Sequence, residues 1–266
     1  MALLELDNVE VVYHHVATAI QSVSLRVPER SIVTLLGTNG AGKTTTLRAI
    51  SGFLGGDNAR IAGGRITFMG RDIGGLRPHE VARAGCVLVP ERDKVFEMLT
   101  VQDNLRALVP GRRPAGSAPV VTLEQVFAYF PVLAQRRSQV AGYLSGGERQ
   151  MLAIASALLC QPTLLLVDEL SFGLAPIVVE TLMRLIARLR DELGLAVLLV
   201  EQNAAAALGV ADHGYVIENG RIVYDGAADA LLAHEDIREF YLGVGHRTGR
   251  RRYTEVKQYR RRRRWF

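Results

Sequence analysis

Apolar and polar positions alternate along the first thirty residues of the chain. Leu4, Leu6 and the residues 9–13 form one alternating segment, His14-His15 has turn character, and 19–27 form a second segment. Alternation of this kind is typical of antiparallel strands with one solvated face. The chain is therefore expected to begin with an antiparallel pair.

Farther along, the pattern changes to short continuous apolar runs separated by segments of helical character. Buried parallel strands flanked by helices produce this texture, which predicts an α/β sheet. The predicted strands lie at 31–36, 65–69, 86–89, 164–167 and 196–200. The predicted helices lie at 46–50, 78–84, 177–193 and 204–210, with one more that ends at 159.

Turn-forming residues mark the connections. The glycine-rich segment 52–64 and the Pro/Gly/Arg-rich segment 110–119 are predicted loops, and 91–142 as a whole is helical and loop-like. Within it, Thr100-Val-Gln-Asp103 resembles a capping box that opens a helix, and 122–130 is amphipathic. Asn219-Gly220 between two apolar segments predicts a hairpin with a type I′ turn.

The charge of the chain is unevenly distributed. The 266 residues carry a net charge of +5 and a pI of about 9.5, which alone would suggest a polyanion-binding protein. Residues 246–266, however, hold ten Lys/Arg against Glu255, so this tail carries +9 and the rest of the chain −4. The basic pI therefore belongs to the tail, and nucleic acid is not an expected partner of the body.

Other bulk features exclude export and membrane insertion. The N-terminus has no basic region followed by an apolar run, and no window approaches the ~20 apolar residues that span a bilayer. Cys86 and Cys160 have no His or second Cys at ligand spacing, so we interpret both as small buried apolar residues in a reducing compartment. These features predict a cytoplasmic protein.

Residues 37–45 carry the clearest chemical motif. Gly37-x-x-x-x-Gly42-Lys43-Thr44 follows an apolar run and precedes a helix, which is the context of a phosphate-binding loop. Glycines let backbone N–H groups converge on phosphates, Lys43 reaches the β/γ-phosphates, and the Thr44 hydroxyl ligates Mg²⁺. A chance glycine-rich turn is the alternative, and the complete match in this context disfavours it. The predicted ATP-binding residues of this loop are Gly37, Thr38, Asn39, Gly40, Ala41, Gly42, Lys43, Thr44 and Thr45.

Two acids follow the apolar run 164–167. Asp168 suits an outer ligand or water-mediated holder of Mg²⁺, and Glu169 can polarise the attacking water. Alone the pair is weak evidence, because the first turn of a helix also favours acids. Together with the phosphate loop it predicts nucleotide hydrolysis.

A second phosphate-binding helix start is predicted by a serine and two adjacent glycines. The hydroxyl and the unobstructed N–H groups there can hold an anion, although an ordinary helix N-cap would have the same composition. The segment comprises Leu144, Ser145, Gly146, Gly147 and Glu148.

These segments together resemble the nucleotide-binding subunit of an ABC transporter, over essentially residues 1–245. The resemblance implies a P-loop NTPase fold of the ABC nucleotide-binding domain type: a RecA-like core, an antiparallel β subdomain and an α-helical subdomain at about 92–158. Residues 246–266 would form a separate basic tail. In this family the signature segment 144–148 closes over the ATP of the opposite subunit, in a homo- or heterodimer. The resemblance also assigns Tyr13 to adenine stacking; the alternative is an ordinary strand aromatic.

Departures from the general pattern indicate a subfamily. Glu91 occupies the position that usually holds the Gln-loop glutamine of this family. Gln202 occupies the position of the switch histidine, and Ala175 that of the D-loop aspartate. With Tyr241-Leu-Gly243, these resemble an ATPase subunit of branched-chain amino-acid importers, although Leu170 replaces the proline of that group.

The substitutions have chemical consequences. Gln202 can donate an amide N–H to a γ-phosphate but cannot carry charge, and Glu91 can ligate Mg²⁺ but repels phosphate without it. The predicted catalytic residues are thus Glu169, Gln202 and Glu91, and the predicted metal ligands Thr44, Asp168 and Glu91.

The expected function is ATP hydrolysis that powers uptake through membrane permeases, with an external solute-binding protein as an indirect partner. The chain would lie on the inner face of the plasma membrane, and the segment from Arg92 to Gly142 would face the permeases. Alternatives are a soluble ABC ATPase of translation or repair, a non-hydrolytic ATP-binding scaffold, and an importer ATPase for another amide or hydrophobic solute. The tail is either a solvated extension, a contact with anionic lipid, or, third, a nucleic-acid contact.

Overall fold

A computed structural model describes residues 2–14, 16–92, 95–107 and 121–240. The predicted loop 110–119, the motif Tyr241-Leu-Gly243 and the tail 246–266 lie outside these residues. The strands are β1 (Ala2–Tyr13), β2 (Ala17–Pro28), β3 (Ile32–Leu36), β4 (Ala59–Phe68), β5 (Arg71–Asp72), β6 (Cys86–Val89), β7 (Leu164–Asp168), β8 (Ala196–Glu201), β9 (His213–Glu218) and β10 (Arg221–Ala227). The helices are α1 (Lys43–Ser51), α2 (Pro78–Arg83), α3 (Val101–Arg106), α4 (Leu123–Tyr129), α5 (Pro131–Gln135), α6 (Gly146–Leu159), α7 (Pro176–Leu193), α8 (Ala204–Leu208), α9 (Ala228–Ala233) and α10 (Glu235–Phe240).

The central element is a six-stranded sheet of order β10-β9-β3-β8-β7-β6. Within this sheet, the adjacent strands β9, β3, β8, β7 and β6 are parallel to one another. The antiparallel β9–β10 hairpin forms one edge. Because successive side chains point to opposite faces, each strand contributes to two cores. In β8, Val197 and Leu199 face the core formed with α6 and α7, whereas Leu198 and Val200 face the core formed with α1. This two-sided burial explains the continuous apolar runs.

The predicted N-terminal antiparallel pair is confirmed, as part of a four-stranded sheet of order β2-β1-β4-β5. Leu4, Leu6, Val9 and Val11 of β1 are buried, and the residues between them are more exposed. This sheet covers α1 and shares one core with it.

The prediction of a loop over 52–64 is wrong. A short 3-10 helix, Phe53–Asp57, precedes β4, which begins at Ala59 and pairs with β1 from Tyr13 to Leu4. Gly64 adopts φ +78 opposite a register shift in β1, and a Cβ there would lie 2.4 Å from the Asn8 carbonyl oxygen. The glycine therefore permits close approach of two strands and does not mark a loop.

The helical segment is built from capped short helices packed on α6. Thr100 begins α3 as an N-cap that accepts the Asp103 N–H at 3.1 Å, and Thr122 forms a capping box with Gln125 at α4. Val126 and Leu133 join the same core as α6. Cys86 is buried as predicted, but Cys160, the C-cap of α6, is only partly buried.

Candidate active site

The loop between β3 and α1 is built around glycines for which no other residue fits. A Cβ on Gly37 would lie 2.6 Å from the Ile217 carbonyl oxygen. Gly42 has φ +112, and its Cβ would lie 2.8 Å from Ile20 Cγ2. The β9–β10 turn also fixes the loop, because Gly220 donates its N–H to the Ala41 carbonyl at 2.8 Å.

The start of α1 opens into a cleft of about 630 Å³. Gly42 is the N-cap, and no side chain in the described ranges caps this nine-residue helix, so its first N–H groups are left for an anion. The cleft is lined by Thr18, Ala19, Gln21, Asn39, Gly40, Gly42, Lys43, Thr44, Thr45, Glu91, Arg92, Glu169, Phe172 and Asn219.

Lys43 is almost fully buried at the base of this cleft. Its Nζ donates to the carbonyl oxygens of Gly37 at 2.9 Å and Thr38 at 3.2 Å. It also lies 3.2 Å from Glu169 Oε1. The Lys43 ammonium thus lies between the phosphate loop and the end of β7, and it contacts both segments.

Asp168 is the last residue of β7, at the carboxyl edge of the sheet. The Thr44 hydroxyl donates to its Oδ1 at 3.4 Å. Burial raises the pKa of Asp168 to about 6, helped by the neighbouring Glu169 and Glu91 and opposed by Thr44 and Lys43.

This pair fits a divalent cation. A bound cation would favour the ionised form of Asp168, and Mg²⁺ prefers a few protein oxygens supplemented by substrate phosphates. In the described part of the chain, no group of three or more His, Cys, Asp and Glu side chains forms a self-sufficient metal site.

Glu169 reaches the cleft through an uncommon backbone conformation. Its φ of +46 lies in the left-handed region, which costs a non-glycine residue about 1 kcal/mol or more. Its N–H donates to the Val200 carbonyl at 2.9 Å, so β8 holds the turn. The carboxylate is thereby brought beside Lys43 in the wall of the cleft.

Glu91 and Gln202, two of the subfamily substitutions, lie in different surroundings. Glu91 lines the cleft, is 25% exposed and accepts a hydrogen bond from Arg92 Nε at 3.1 Å. Gln202 is exposed just after β8 and is not one of the described residues that line the cleft.

Tyr13, at the end of β1, lies beside the first turn of α1. Its ring is half-buried against the core, and its hydroxyl lies 3.3 Å from Thr45 Oγ1. It adjoins the phosphate loop without lining the cleft itself.

The signature segment forms the start of α6. Ser145 is the N-cap: its Oγ accepts the Glu148 N–H at 3.3 Å, and its own N–H donates to Glu148 Oε2 at 2.8 Å. Ser145 and Gly146 are exposed, whereas Leu144 and Gly147 are buried. Within the described ranges, no residue of 144–148 lines the phosphate-loop cleft. One chain therefore does not bring its own signature to its own loop.

Sequence reasoning missed one buried acid, Glu201, at the end of β8. It is fully buried, and Ser171 donates both its N–H, at 2.9 Å, and its hydroxyl, at 2.6 Å, to the carboxylate. The available signal was a charged residue that closes the apolar run 195–200.

Comparison with known proteins agrees with this geometry. The model of the ABC transporter family matches residues 20–171. The chain is 42% identical over 241 residues to the high-affinity branched-chain amino acid transport ATP-binding protein BraG of Pseudomonas aeruginosa, which covers 91% of this chain and 100% of BraG. It is 33% identical over 247 residues to the lipopolysaccharide export system ATP-binding protein LptB of Escherichia coli K12, covering 93% and 100%.

Among solved structures, the chain is similar to the ADP conformation of MJ1267, an ATP-binding cassette of an ABC transporter. The TM-score is 0.76 at 27% identity, and the match covers 91% of this chain and 99% of that structure. In the part of the chain that the structure describes, no helix is long and apolar enough to cross a membrane. With its α/β core, phosphate loop and signature segment, the chain belongs to the ABC transporter family as an ATP-binding, ATP-hydrolysing subunit.

Proposed function

We propose that this chain powers an importer of branched-chain amino acids or a related small solute, from the cytoplasmic face of the plasma membrane. The observation that carries the proposal is the 42% identity to BraG along the full length of that relative. The substrate itself would be recognised by permeases and an external solute-binding protein, which are separate chains.

In this proposal the phosphate loop, residues 37–45, binds the triphosphate of ATP. The N–H groups at the start of α1 and the Lys43 ammonium neutralise its charge. Thr44 and Asp168, with Glu91 nearby, would hold Mg²⁺, which neutralises charge that develops on the phosphates. Tyr13 would stack on the adenine, because it lies beside Thr45 at the rim of the loop.

Hydrolysis is assigned to Glu169 as the general base for the attacking water. The support is its position 3.2 Å from Lys43, where the γ-phosphate end of the nucleotide would lie. Gln202 would donate its amide N–H to the γ-phosphate, a contact that requires closure because the side chain is exposed in this structure. Glu91 would act through the metal, because its charge would otherwise repel phosphate.

The exposed signature supports a dimer in which segment 144–148 completes the site of the other subunit. The partner is either a second copy or a related ATPase chain. Ser145 already accepts the N–H of Glu148 and Gly147 is buried, so the exposed Gly146 is the residue whose backbone N–H would be offered to a γ-phosphate.

A second cleft of about 850 Å³ supports a permease contact. It shares Thr44, Glu91 and Asp168 with the neighbourhood of the nucleotide, and its outer wall includes Phe53 and Phe96, which are 49% and 59% exposed. An apolar permease element seated here would touch the helical subdomain proposed for about 92–158. Its position would then depend on the state of the ATP site.

Solute uptake in a strain that lacks the chain tests this proposal. Wild-type protein should restore uptake of labelled leucine, isoleucine and valine, and Lys43→Ala should not, because it removes the buried cation of the loop. If the protein restores only the uptake of another amide or hydrophobic solute, that solute replaces branched-chain amino acids as the proposed substrate.

The similarity to LptB supports a second candidate, a lipopolysaccharide export subunit. Defective lipopolysaccharide export with normal amino-acid uptake would favour it. Failure to co-purify with any permease would instead favour a soluble ABC ATPase.

A further inference from the structure

Glu201 is a fully buried carboxylate that the assignments above do not use. Both of its oxygens are hydrogen-bonded by Ser171: the N–H donates to Oε1 at 2.9 Å and the hydroxyl to Oε2 at 2.6 Å. The Asn203 N–H donates to it as well. Burial raises the pKa of Glu201, and the charge-assisted bonds from Ser171 and Asn203 oppose that desolvation.

The segment held by Glu201 carries Glu169 at one end. Val200 accepts the Glu169 N–H at 2.9 Å, and the adjacent Glu201 binds Ser171, so consecutive residues of β8 grip both sides of the turn. This turn keeps Glu169 at φ +46, a conformation that persists only where the surroundings impose it.

The other end of the same segment reaches the signature helix. Leu174 packs so closely on Gly146 that a Cβ there would lie 3.1 Å from Leu174 Cδ2. Ser171 thus lies in the segment that connects Glu169 of the cleft with Leu174, which contacts the start of α6.

We infer that Glu201 is a positioning residue for ATP hydrolysis, which fixes the 169–174 turn through Ser171 so that Glu169 faces the attacking water. The inference rests on the general-base role proposed for Glu169. Glu201 does not act on water itself, because it is fully buried, its oxygens are occupied, and it is not among the described residues that line the cleft.

The first test compares Glu201→Ala and Ser171→Ala in the full-length chain, in the complex with which it purifies. Loosening of the turn misplaces the base, whereas Lys43 remains held by the carbonyl oxygens of Gly37 and Thr38 in the phosphate loop. Glu201→Ala should therefore lower kcat about 10- to 100-fold and leave KM for ATP within about twofold. Ser171→Ala, which keeps the backbone bond, should lower kcat by a smaller factor of about 3 to 10.

Asp212→Ala is the control for loss of a carboxylate that accepts a backbone N–H at the sheet. Asp212 also accepts a backbone N–H from the parallel sheet, that of Ile32 at 2.8 Å, but at the opposite end of the strands. It should cost stability and leave kcat per ATP-binding site unchanged.

Glu201→Gln separates position from charge and from direct chemistry. Its amide can still accept the Ser171 N–H and can donate to the Ser171 hydroxyl, so kcat should stay within about threefold of wild type. A Glu201→Gln loss as severe as that of Glu169→Gln would overturn the inference in favour of a direct role.

Two other results would also overturn it: wild-type kcat in Ser171→Ala and Glu201→Ala, or a joint fall of ATP affinity and kcat. If Glu201→Ala does not fold, Ser171→Ala decides. Full turnover in Glu169→Gln would instead refute the general-base proposal on which the inference rests.

Discussion

At the scale of single residues, the site places three acids around one buried cation. Asp168, Glu169 and Glu91 approach one another, and Lys43 is the buried cation that faces them. Glu169 takes the closest contact with Lys43, while Asp168 is left with a hydroxyl partner. Burial above all, with the neighbouring Glu169 and Glu91, therefore destabilises the ionised Asp168 as long as phosphate and Mg²⁺ are not bound.

This environment predicts a pH-dependent stability of the metal-free protein. The pKa of Asp168 is raised from 3.8 to about 6, so the folded state holds this proton more tightly than the unfolded chain. The group favours folding most below its unfolded pKa, and this contribution is lost as pH rises through 6, by up to about 3 kcal/mol.

Urea unfolding in the presence of a chelator, from about pH 4 to pH 7, measures the effect. The amide side chain of the Asp168→Asn variant cannot ionise. The free energy of unfolding of Asp168→Asn should therefore increase relative to that of wild type as pH rises. Parallel pH profiles for the two proteins would contradict the assignment.

Local motifs of the site could be predicted from the sequence, whereas contacts between distant segments could not. The loop 37–45 is recognisable because its glycines, lysine and threonine act within nine consecutive residues. Glu201 was missed because its partner, Ser171, is thirty positions away and the pair forms only when β7 and β8 are adjacent. The role of Ser145 depends on a ligand held by another subunit, so one chain shows only its capping bonds.

At the scale of elements, the start of α6 is fixed by close packing on α7. A Cβ on Gly147 would lie 2.6 Å from Val178 Cγ1. Val178 is β-branched and cannot swing aside easily. Gly147 is thus required for the close packing of α6 on α7.

Gly147→Ala should therefore destabilise the protein by about 1 to 3 kcal/mol, although alanine favours helix formation. Gly147→Ala/Val178→Ala removes the opposing methyl groups and should recover most of the loss. Chemical denaturation of the single and double variants measures both values. A Gly147→Ala protein as stable as wild type would show that the two helices are not in close contact.

The predicted elements agree best with the structure where a strand is buried on both faces or where the turn residues specify the turn type. The strands 86–89 and 164–167 and the Asn219-Gly220 hairpin were found at nearly the predicted positions. The first part of β4 was missed because its glycines favour a loop locally, and pairing with β1 overrides that preference.

At the scale of the whole molecule, the net charges of the body and of the tail have opposite signs. This separation predicts that the tail, and not the body, binds an anionic membrane surface. The body carries −4 and the tail +9, and Trp265-Phe266 adds apolar anchors. An anionic membrane surface binds basic segments, and each Lys or Arg near the surface contributes about 1 kcal/mol to that binding.

Flotation with anionic vesicles tests this contact. The full-length chain should float at low salt and be released at high salt, while a chain truncated after Gly245 should remain in the soluble fraction. Neutral vesicles serve as the control for both proteins. Equal flotation of the two chains on anionic vesicles would remove the lipid hypothesis.

The central claim is that this chain hydrolyses ATP with Glu169 beside the phosphate loop. Phosphate release by the purified complex, together with ATP binding, tests it in wild type and Glu169→Gln, with Glu180→Gln on the exposed face of α7 as control. Glu169→Gln should lose at least about 100-fold in turnover. It should bind ATP as well as wild type, because the substitution removes a negative charge near the phosphates. Undiminished phosphate release by Glu169→Gln would contradict the account.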